Sequence, residues 1–128
     1  MEYPAEYKYT KDHEWLQVEG KTALVGLTDF AQKQLGDIVF VEVVSKEGAQ
    51  LEAEEPFGSV ESVKAVSEFF SPVSGKVVAV NALLDAEPDA INTDPHGSWI
   101  IKIEMSGAKQ LDGLLTAAQY EQFITAED

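Results

Sequence analysis

At the centre of the chain stands the stretch Pro56-Phe57-Gly58-Ser59-Val60-Glu61-Ser62-Val63-Lys64-Ala65-Val66-Ser67-Glu68-Phe69-Phe70. Apolar residues alternate with small or polar ones on both sides of Lys64, over 56–63 and 65–70. Alternation with a period of two is typical of β-strands that bury one face. Because so little chain separates the two runs, they predict an antiparallel hairpin with Lys64 at or near its turn.

The rest of the chain repeats this β pattern in short segments. Further strands are predicted over 15–18, 21–25, 37–44, 76–81 and 99–104. A tight turn at Glu19-Gly20 would join the first two of them, and pairs containing glycine or proline separate most of the others. About seven short strands at regular spacing predict a mostly β fold, a small antiparallel β-sandwich or flattened barrel.

Two segments depart from this alternation and predict helices. In the N-terminal half, Thr28 is a candidate N-cap and Gly36 a candidate C-cap of a short helix. Near the C-terminus, Thr116 precedes apolar residues at helical spacing up to about residue 126. Since no low-complexity linker divides the chain, we expect one domain over 1–128, with its core at about 7–124.

The composition excludes several classes of function. The 128 residues include nine lysines, no arginine and 23 acidic residues, which gives a formal net charge of −14 at pH 7. Nucleic acids and anionic membranes are not expected as partners, because both are bound through clustered cationic side chains. Without cysteine, the chain offers no thiol nucleophile and no disulfide. The first residues resemble neither a signal peptide nor a transit peptide, so a cytoplasmic location is expected.

Residues that could perform catalysis do not form a recognisable set. The two histidines have no partners at metal-ligand spacing, and His13 is expected to be a hydrogen-bonded structural residue. The cluster Glu52, Glu54 and Glu55 is typical of a solvated turn rather than of a catalytic carboxylate pair. We therefore expect neither a catalytic site nor a metal site, and a protein that is not itself an enzyme.

Lys64 can be interpreted in two ways. A lysine at the tip of a hairpin is usually a surface charge that favours solubility. The alternative is that an enzyme acylates its amine, which requires an amine that projects from a rigid, exposed turn and converts it into a neutral amide. The spacing of the residues alone leaves both interpretations open.

Ordered blocks with a recognisable pattern run from about residue 9 to residue 123. The blocks are Tyr9-Thr10-Lys11-Asp12-His13-Glu14-Trp15, Val25-Gly26-Leu27-Thr28-Asp29-Phe30-Ala31-Gln32, Leu35-Gly36-Asp37-Ile38-Val39-Phe40-Val41-Glu42, Pro56-Phe57-Gly58, Glu61-Ser62-Val63-Lys64-Ala65, Pro72-Val73-Ser74-Gly75-Lys76-Val77, Val80-Asn81, Ile91-Asn92 and Trp99-Ile100-Ile101-Lys102-Ile103. Together they resemble the glycine cleavage system H-protein family, a family of lipoyl carrier proteins. So many blocks in order are too many for chance. The resemblance implies the barrel-sandwich hybrid fold of lipoyl and biotinyl carriers.

The resemblance also implies a carrier that works with other enzymes. Lipoic acid would be joined to Lys64 by an amide bond. Glycine decarboxylase (P protein) would load an aminomethyl group onto it, a tetrahydrofolate-dependent aminomethyltransferase (T protein) would receive the one-carbon unit, and dihydrolipoyl dehydrogenase (L protein) would reoxidise the dithiol. Lipoate-attaching enzymes would be further partners. The difficult chemistry would belong to the cofactor and to these enzymes.

Individual residues acquire roles by the same resemblance. Glu61 and Ala65 would help a lipoate-attaching enzyme to recognise the hairpin, although a plain surface role suits Glu61 as well. Four residues would line a cleft that holds the cationic amine of the loaded arm and shields it from water: Glu14, Asp12, Ser67 and Glu68. For Glu14 the alternative is an exposed strand carboxylate. Glu68 stands where the family usually has aspartate.

Other carriers match less well. A biotin carrier usually has Met-Lys-Met where this chain has Val63-Lys64-Ala65. The lipoyl domain of a 2-oxo-acid dehydrogenase has a similar hairpin but lacks the blocks between Tyr9 and Gln32. Two alternatives stay open, an H-like protein that relays lipoate to other enzymes and an interaction module that is not lipoylated.

Overall fold

The computed structural model of the chain describes residues 3–127. Within that range the strands are β1 Lys8–Tyr9, β2 Glu14–Glu19, β3 Thr22–Leu27, β4 Ile38–Val43, β5 Gln50–Leu51, β6 Pro56–Ser62, β7 Val66–Phe70, β8 Gly75–Val80 and β9 Ile101–Met105. The α-helices are α1 Asp29–Leu35, α2 Leu83–Ala86, α3 Ala90–Thr93 and α4 Ala117–Glu127. A 3-10 helix spans Ala108–Gly113.

These strands form two antiparallel sheets. One has six strands in the order β1-β2-β3-β9-β8-β5, and the other has three in the order β4-β6-β7. Each pairing between neighbouring strands is antiparallel. The predicted mostly β antiparallel fold is therefore confirmed, as two packed sheets that do not close into a barrel within residues 3–127.

The core lies between the two sheets. Phe57 and Phe69, from neighbouring strands of the three-stranded sheet, are almost fully buried, and their ring centroids lie 5.5 Å apart. Val25, Ile101 and Ile103 belong to the same buried cluster and come from the six-stranded sheet. Removing each such side chain from water stabilises the fold by about 1.5–3 kcal/mol. Burial thus fixes which face of each strand points inward, and with it which residues remain available outside.

Helix α1 begins and ends as the sequence predicts. The hydroxyl of Thr28 accepts a hydrogen bond from the N–H of Ala31 at 3.2 Å, which caps the N-terminus. At the other end, Gly36 has a φ of 79°, and its N–H donates to the carbonyl of Gln32 at 2.9 Å. Because glycine adopts a positive φ without a steric penalty, Gly36 can end the helix and lead the chain into β4.

Helix α4 packs on a second, aromatic cluster. Gln119 donates its backbone N–H to the Thr116 hydroxyl, and the Gln119 side chain accepts from the N–H of Thr116, which makes a reciprocal cap. Tyr120 is fully buried and stacks on Tyr9, with ring centroids 4.9 Å apart. The predicted C-terminal helix is confirmed, and its buried side fastens it to β1.

Candidate functional site

The predicted hairpin is present, and Lys64 lies in its turn. Strands β6 and β7 pair in the register Ser59–Glu68, Val60–Ser67 and Glu61–Val66, so that residues 63–65 connect them. The Lys64 side chain is exposed at this end of the three-stranded sheet.

Hydrogen bonds to Ser62 hold the turn in one conformation. The Ser62 N–H donates to the carbonyl of Ala65 at 2.8 Å, and the Ser62 hydroxyl oxygen accepts from the N–H groups of Lys64 and Ala65, each at 3.1 Å. Ser62 itself is buried. The role of Ser62 was not predicted from the sequence, although a serine that bonds to the backbone two and three residues ahead is a known turn signal.

Two contacts outside the hairpin position the turn further. The N–H of Val63 donates to the carbonyl of Asp37 at 3.0 Å, which ties the turn to the start of β4. The stem of Lys64 passes over Gly36, where an added Cβ would lie 3.3 Å from the Lys64 Cε. A side chain at residue 36 would therefore crowd the lysine as well as strain the backbone.

A groove of about 340 Å³ runs beside the hairpin. Side chains of α1 and of the core line it together with Ala65 and Val66 of the hairpin. Three of the four residues predicted to line an arm cleft share this groove: Asp12, Ser67 and Glu68. All three are exposed, so the groove offers two accessible carboxylates beside a lining that mixes apolar side chains with the polar side chains of His13 and Gln34.

Glu14 lies elsewhere and is buried. Only 2% of its surface is exposed, so the interpretation as an exposed strand carboxylate is wrong. Its Oε2 accepts from the N–H of Phe70 at 2.8 Å, and its Oε1 accepts from the Thr10 hydroxyl at 3.3 Å. Glu14 lines a different cavity, of about 280 Å³, and Asp12 borders both this cavity and the groove. Of the four residues predicted to share an arm cleft, Glu14 therefore lines this cavity, and Asp12 connects it with the groove that Ser67 and Glu68 line.

Burial dominates the protonation of Glu14. The pKa of Glu14 is raised to about 8, mainly by loss of solvation, and the nearby charge of Asp12 acts in the same direction. Hydrogen bonds from the Phe70 N–H and the Thr10 hydroxyl favour the carboxylate and oppose this rise, but they are outweighed. At neutral pH most Glu14 side chains therefore hold a proton, unlike an ordinary surface glutamate.

The segment from Thr10 to Glu14 directs the side chains of Asp12 and Glu14 to different places. The Thr10 hydroxyl accepts from the N–H groups of Asp12 and Glu14, both at 3.2 Å, and the Thr10 N–H donates to the carbonyl of Glu14 at 2.9 Å. His13 has a φ of 67° within this tight loop. The loop turns Asp12 outward to the groove while β2 begins at Glu14 and carries it inward.

His13 also lines the groove. Its Nδ1 lies 2.8 Å from the hydroxyl of Tyr120, which is 2.7 Å from the hydroxyl of Thr28. These contacts join the loop to α4 and to the cap of α1, so the expectation of a hydrogen-bonded structural histidine is confirmed. The same contacts fix one wall of the groove.

The remaining predicted residues are on the surface. Glu61 is exposed on the outward face of β6, and Ala65 is exposed in the turn. Glu52, Glu54 and Glu55 are all exposed around a turn, as expected. Within residues 3–127, no three histidine, aspartate or glutamate side chains stand close enough to hold a metal ion. No helix in that range is both long and apolar enough to cross a membrane.

Comparison with known proteins gives one consistent result. The model of the glycine cleavage H-protein family matches residues 7–127. The glycine cleavage system H protein of Acidobacterium capsulatum is 55% identical over 127 residues, covering 99% of this chain and 98% of that protein. That of Anoxybacillus flavithermus is 56% identical over 128 residues, covering 99% of this chain and 100% of the relative.

A solved structure agrees with these sequence matches. The crystal structure of a glycine cleavage system H protein from Mycobacterium marinum superposes with a TM-score of 0.87 at 35% identity, covering 96% of this chain and 99% of that one. Sequence and fold therefore match over almost the whole length of the proteins compared. The chain belongs to the glycine cleavage H-protein family.

Proposed function

We propose that this protein is a lipoyl carrier of glycine cleavage, with lipoic acid in amide linkage to Lys64. The observation that carries the proposal is the turn itself, where four hydrogen bonds to Ser62 and Asp37 fix the backbone around an exposed lysine. An enzyme that acylates an amine needs it in a reproducible position, because correct placement of two reactants supplies much of the rate.

The groove beside the turn fits a lipoyl group. Its apolar lining residues include Leu27, Leu35 and Phe69, which suit the aliphatic chain and the dithiolane ring. It begins at Ala65 and Val66, next to the attachment point. When bound, the lipoyl group would supply a dithiolane that accepts the aminomethyl group of glycine as it is reduced.

The acidic side chains of the groove would retain the loaded arm. An aminomethyl group carries an amine that is cationic at neutral pH, and Asp12 and Glu68 are the accessible carboxylates of the groove. Opposite charges a few ångströms apart attract even at a partly solvated site. Glu14, in the adjoining cavity, would add its charge only when a nearby cation makes loss of its proton favourable.

The chain would act only as a carrier. We propose that glycine decarboxylase, the aminomethyltransferase and dihydrolipoyl dehydrogenase act on the arm in turn, and that lipoate-attaching enzymes place it on Lys64. The absence of cysteine from the sequence suits this role, because a dihydrolipoyl arm exchanges readily with accessible thiols and disulfides. The arm therefore has no thiol or disulfide on its own chain with which to exchange.

Reconstitution tests the proposal. The lipoylated protein is combined with the three partner enzymes, tetrahydrofolate, glycine and NAD, and the formation of NADH is followed. We expect glycine-dependent NADH with the wild-type protein and with Lys76→Arg, which changes an exposed lysine on β8. Lys64→Arg should give none. Turnover by Lys64→Arg at the wild-type rate would contradict the proposal, and lipoylation without turnover would favour a lipoate relay instead.

A further inference from the structure

We propose that the outward face of the three-stranded sheet is the docking surface for the lipoate-attaching enzyme. The proposal rests on the proposed function, since it assumes that Lys64 is the residue modified. It assigns the binding contact to four exposed apolar side chains around that lysine, Val39, Phe40, Val63 and Val66, called here the docking patch.

Exposed apolar side chains are concentrated in this region. Within residues 3–127 seven large apolar side chains are exposed, and the docking patch contains four of them. Their exposed fractions are 49% for Val39, 51% for Phe40, 66% for Val63 and 67% for Val66. Scattered surface apolar residues are ordinary, but four exposed apolar residues gathered by strand pairing and the turn near one exposed lysine indicate an interaction site.

A β-bulge creates half of the docking patch. Ile38 pairs with Ser62 and Phe40 pairs with Glu61, so Val39 is an extra residue in β4. Strict alternation would expose only one of two successive residues, whereas here Ile38 and Val41 are buried and both Val39 and Phe40 are exposed. Bulges re-aim side chains in this way and are frequent beside functional sites.

Strand register places these side chains next to Lys64. Phe40 pairs with Glu61, which pairs with Val66, so that the three form one row across β4, β6 and β7. Val63 precedes Lys64 in the turn, and its N–H is bound to Asp37 at the start of β4. The apolar groups therefore surround the lysine on the rigid part of the hairpin.

The charges around the docking patch indicate what kind of surface it binds. Residues 37–43 and 56–70 contain one cation, Lys64, and four exposed carboxylates: Asp37, Glu42, Glu61 and Glu68. An apolar centre with an acidic rim is complementary to an apolar pocket bordered by lysine or arginine. A second copy of this chain is disfavoured as the occupant, because its own acidic rim would face the first.

The distance from Lys64 at which each partner acts distinguishes the attaching enzyme from the other partners. It must form an amide between Nζ of Lys64 and the lipoyl carbonyl carbon of an acyl adenylate; the adenylate leaves with the electron pair of its bond, and the nitrogen loses a proton. Its active site must therefore enclose the lysine and touch residues within one side-chain length. Enzymes that act on the dithiolane meet the far end of a long arm and can bind further away.

Steady-state lipoylation tests this proposal directly. A lipoate-attaching ligase is supplied with lipoate, ATP and the unmodified protein, and product is quantified by intact mass. We expect Phe40→Ser to raise KM for the carrier by at least about fivefold, with little change in kcat, because residues at the centre of an interface carry most of its binding energy. Val78→Ser, which changes an exposed residue of β8, is the matched control and should leave KM unchanged.

Competition separates binding from chemistry. The Lys64→Arg protein should inhibit lipoylation of the wild-type protein competitively. The double variant with Lys64→Arg and Phe40→Ser should inhibit less strongly, with an inhibition constant raised by the same factor as KM. An unchanged KM for Phe40→Ser, or equal inhibition by the single and double variants, would overturn the docking proposal while leaving the proposed function intact. A Phe40→Ser protein that is lipoylated normally but turns over glycine slowly would assign the patch to another partner, which also overturns it. If the wild-type protein gains no mass, the proposed function fails together with the docking proposal.

Discussion

The two sheets share one core but differ on their outward faces. The six-stranded sheet contributes Val25, Ile101 and Ile103 to the interior. The three-stranded sheet also contributes inward side chains. Of the seven large apolar side chains exposed within residues 3–127, its strands and turn carry four, Val39, Phe40, Val63 and Val66, whereas the strands of the six-stranded sheet carry Val78. The alternation of inward and outward side chains thus builds the core in both sheets. In the three-stranded sheet it also leaves a group of apolar side chains exposed around Lys64.

The largest expected effect concerns the shared core. Ile103→Ala should lower the free energy of unfolding by about 2–5 kcal/mol, because it leaves a cavity in a fully buried site. Val66→Ala, on the outward face of β7, should change it by no more than about 0.5 kcal/mol. Urea denaturation of both variants measures the difference. Equal destabilisation would mean that the outward face is as structural as the core.

Glu14 provides the second test, through pH. Its pKa is raised above the value for an unfolded glutamate, so between about pH 4.5 and pH 8 the unfolded chain has released a proton that the folded protein retains. The stabilisation that protonated Glu14 gives the folded protein is therefore fully present at about pH 4.5 and is lost as pH rises through about 8. The total loss is at most a few kcal/mol.

The variant Glu14→Gln isolates this contribution. The glutamine cannot titrate. We therefore expect the unfolding free energy of the wild-type protein to fall relative to that of the variant as pH rises from 5 to 9. Glu61→Gln, an exposed position, should track the wild-type protein throughout. Parallel stability curves for wild type and Glu14→Gln would show that Glu14 is ionised across this range.

A smaller effect is expected at the turn. Ser62→Ala removes the acceptor of the Lys64 and Ala65 N–H groups and should cost about 1 kcal/mol of stability. It should also slow lipoylation severalfold and accelerate amide hydrogen exchange at those two residues, whereas Ser62→Thr, which keeps the hydroxyl, should restore both. Ser59→Ala on the same strand serves as the control. Normal lipoylation of Ser62→Ala would mean that the turn needs no cap.

The smallest effect is expected in the groove. Glu68→Gln and Asp12→Asn should each speed loss of the aminomethyl group from the loaded protein about two- to fivefold, because partly exposed charge pairs contribute up to about 1 kcal/mol. Ammonia release from the isolated loaded form measures it, and Glu87→Gln, an exposed carboxylate after α2, is the control. Equal rates in all four proteins would exclude a role for these carboxylates.

Local patterns allowed much of the fold to be predicted. The hairpin, the caps of α1 and α4 and the position of Lys64 depend on residues close together in sequence, where alternation and capping side chains act directly. Helices α2 and α3 have four residues each, which is too short for helical periodicity to be visible. The bulge at Val39 was equally hidden, because it depends on how β4 pairs with β6.

The site was predicted less completely than the fold. The grouping of Asp12, Ser67 and Glu68 was expected from the resemblance and is present in one groove. The burial of Glu14 was not expected. It depends on the end of β7, where the N–H of Phe70, 56 residues further along the chain, donates to the Glu14 carboxylate. Such long-range contacts leave no periodic trace in sequence.

The central claim is that one amine, fixed by the turn of β6 and β7, carries the lipoyl group. Its most direct test is the intact mass of the wild-type, Lys64→Arg and Lys76→Arg proteins after incubation with lipoate, ATP and an attaching ligase. We predict one lipoyl adduct on the wild-type and Lys76→Arg proteins and none on Lys64→Arg. An adduct on Lys64→Arg, or none on the wild-type protein, would contradict the claim.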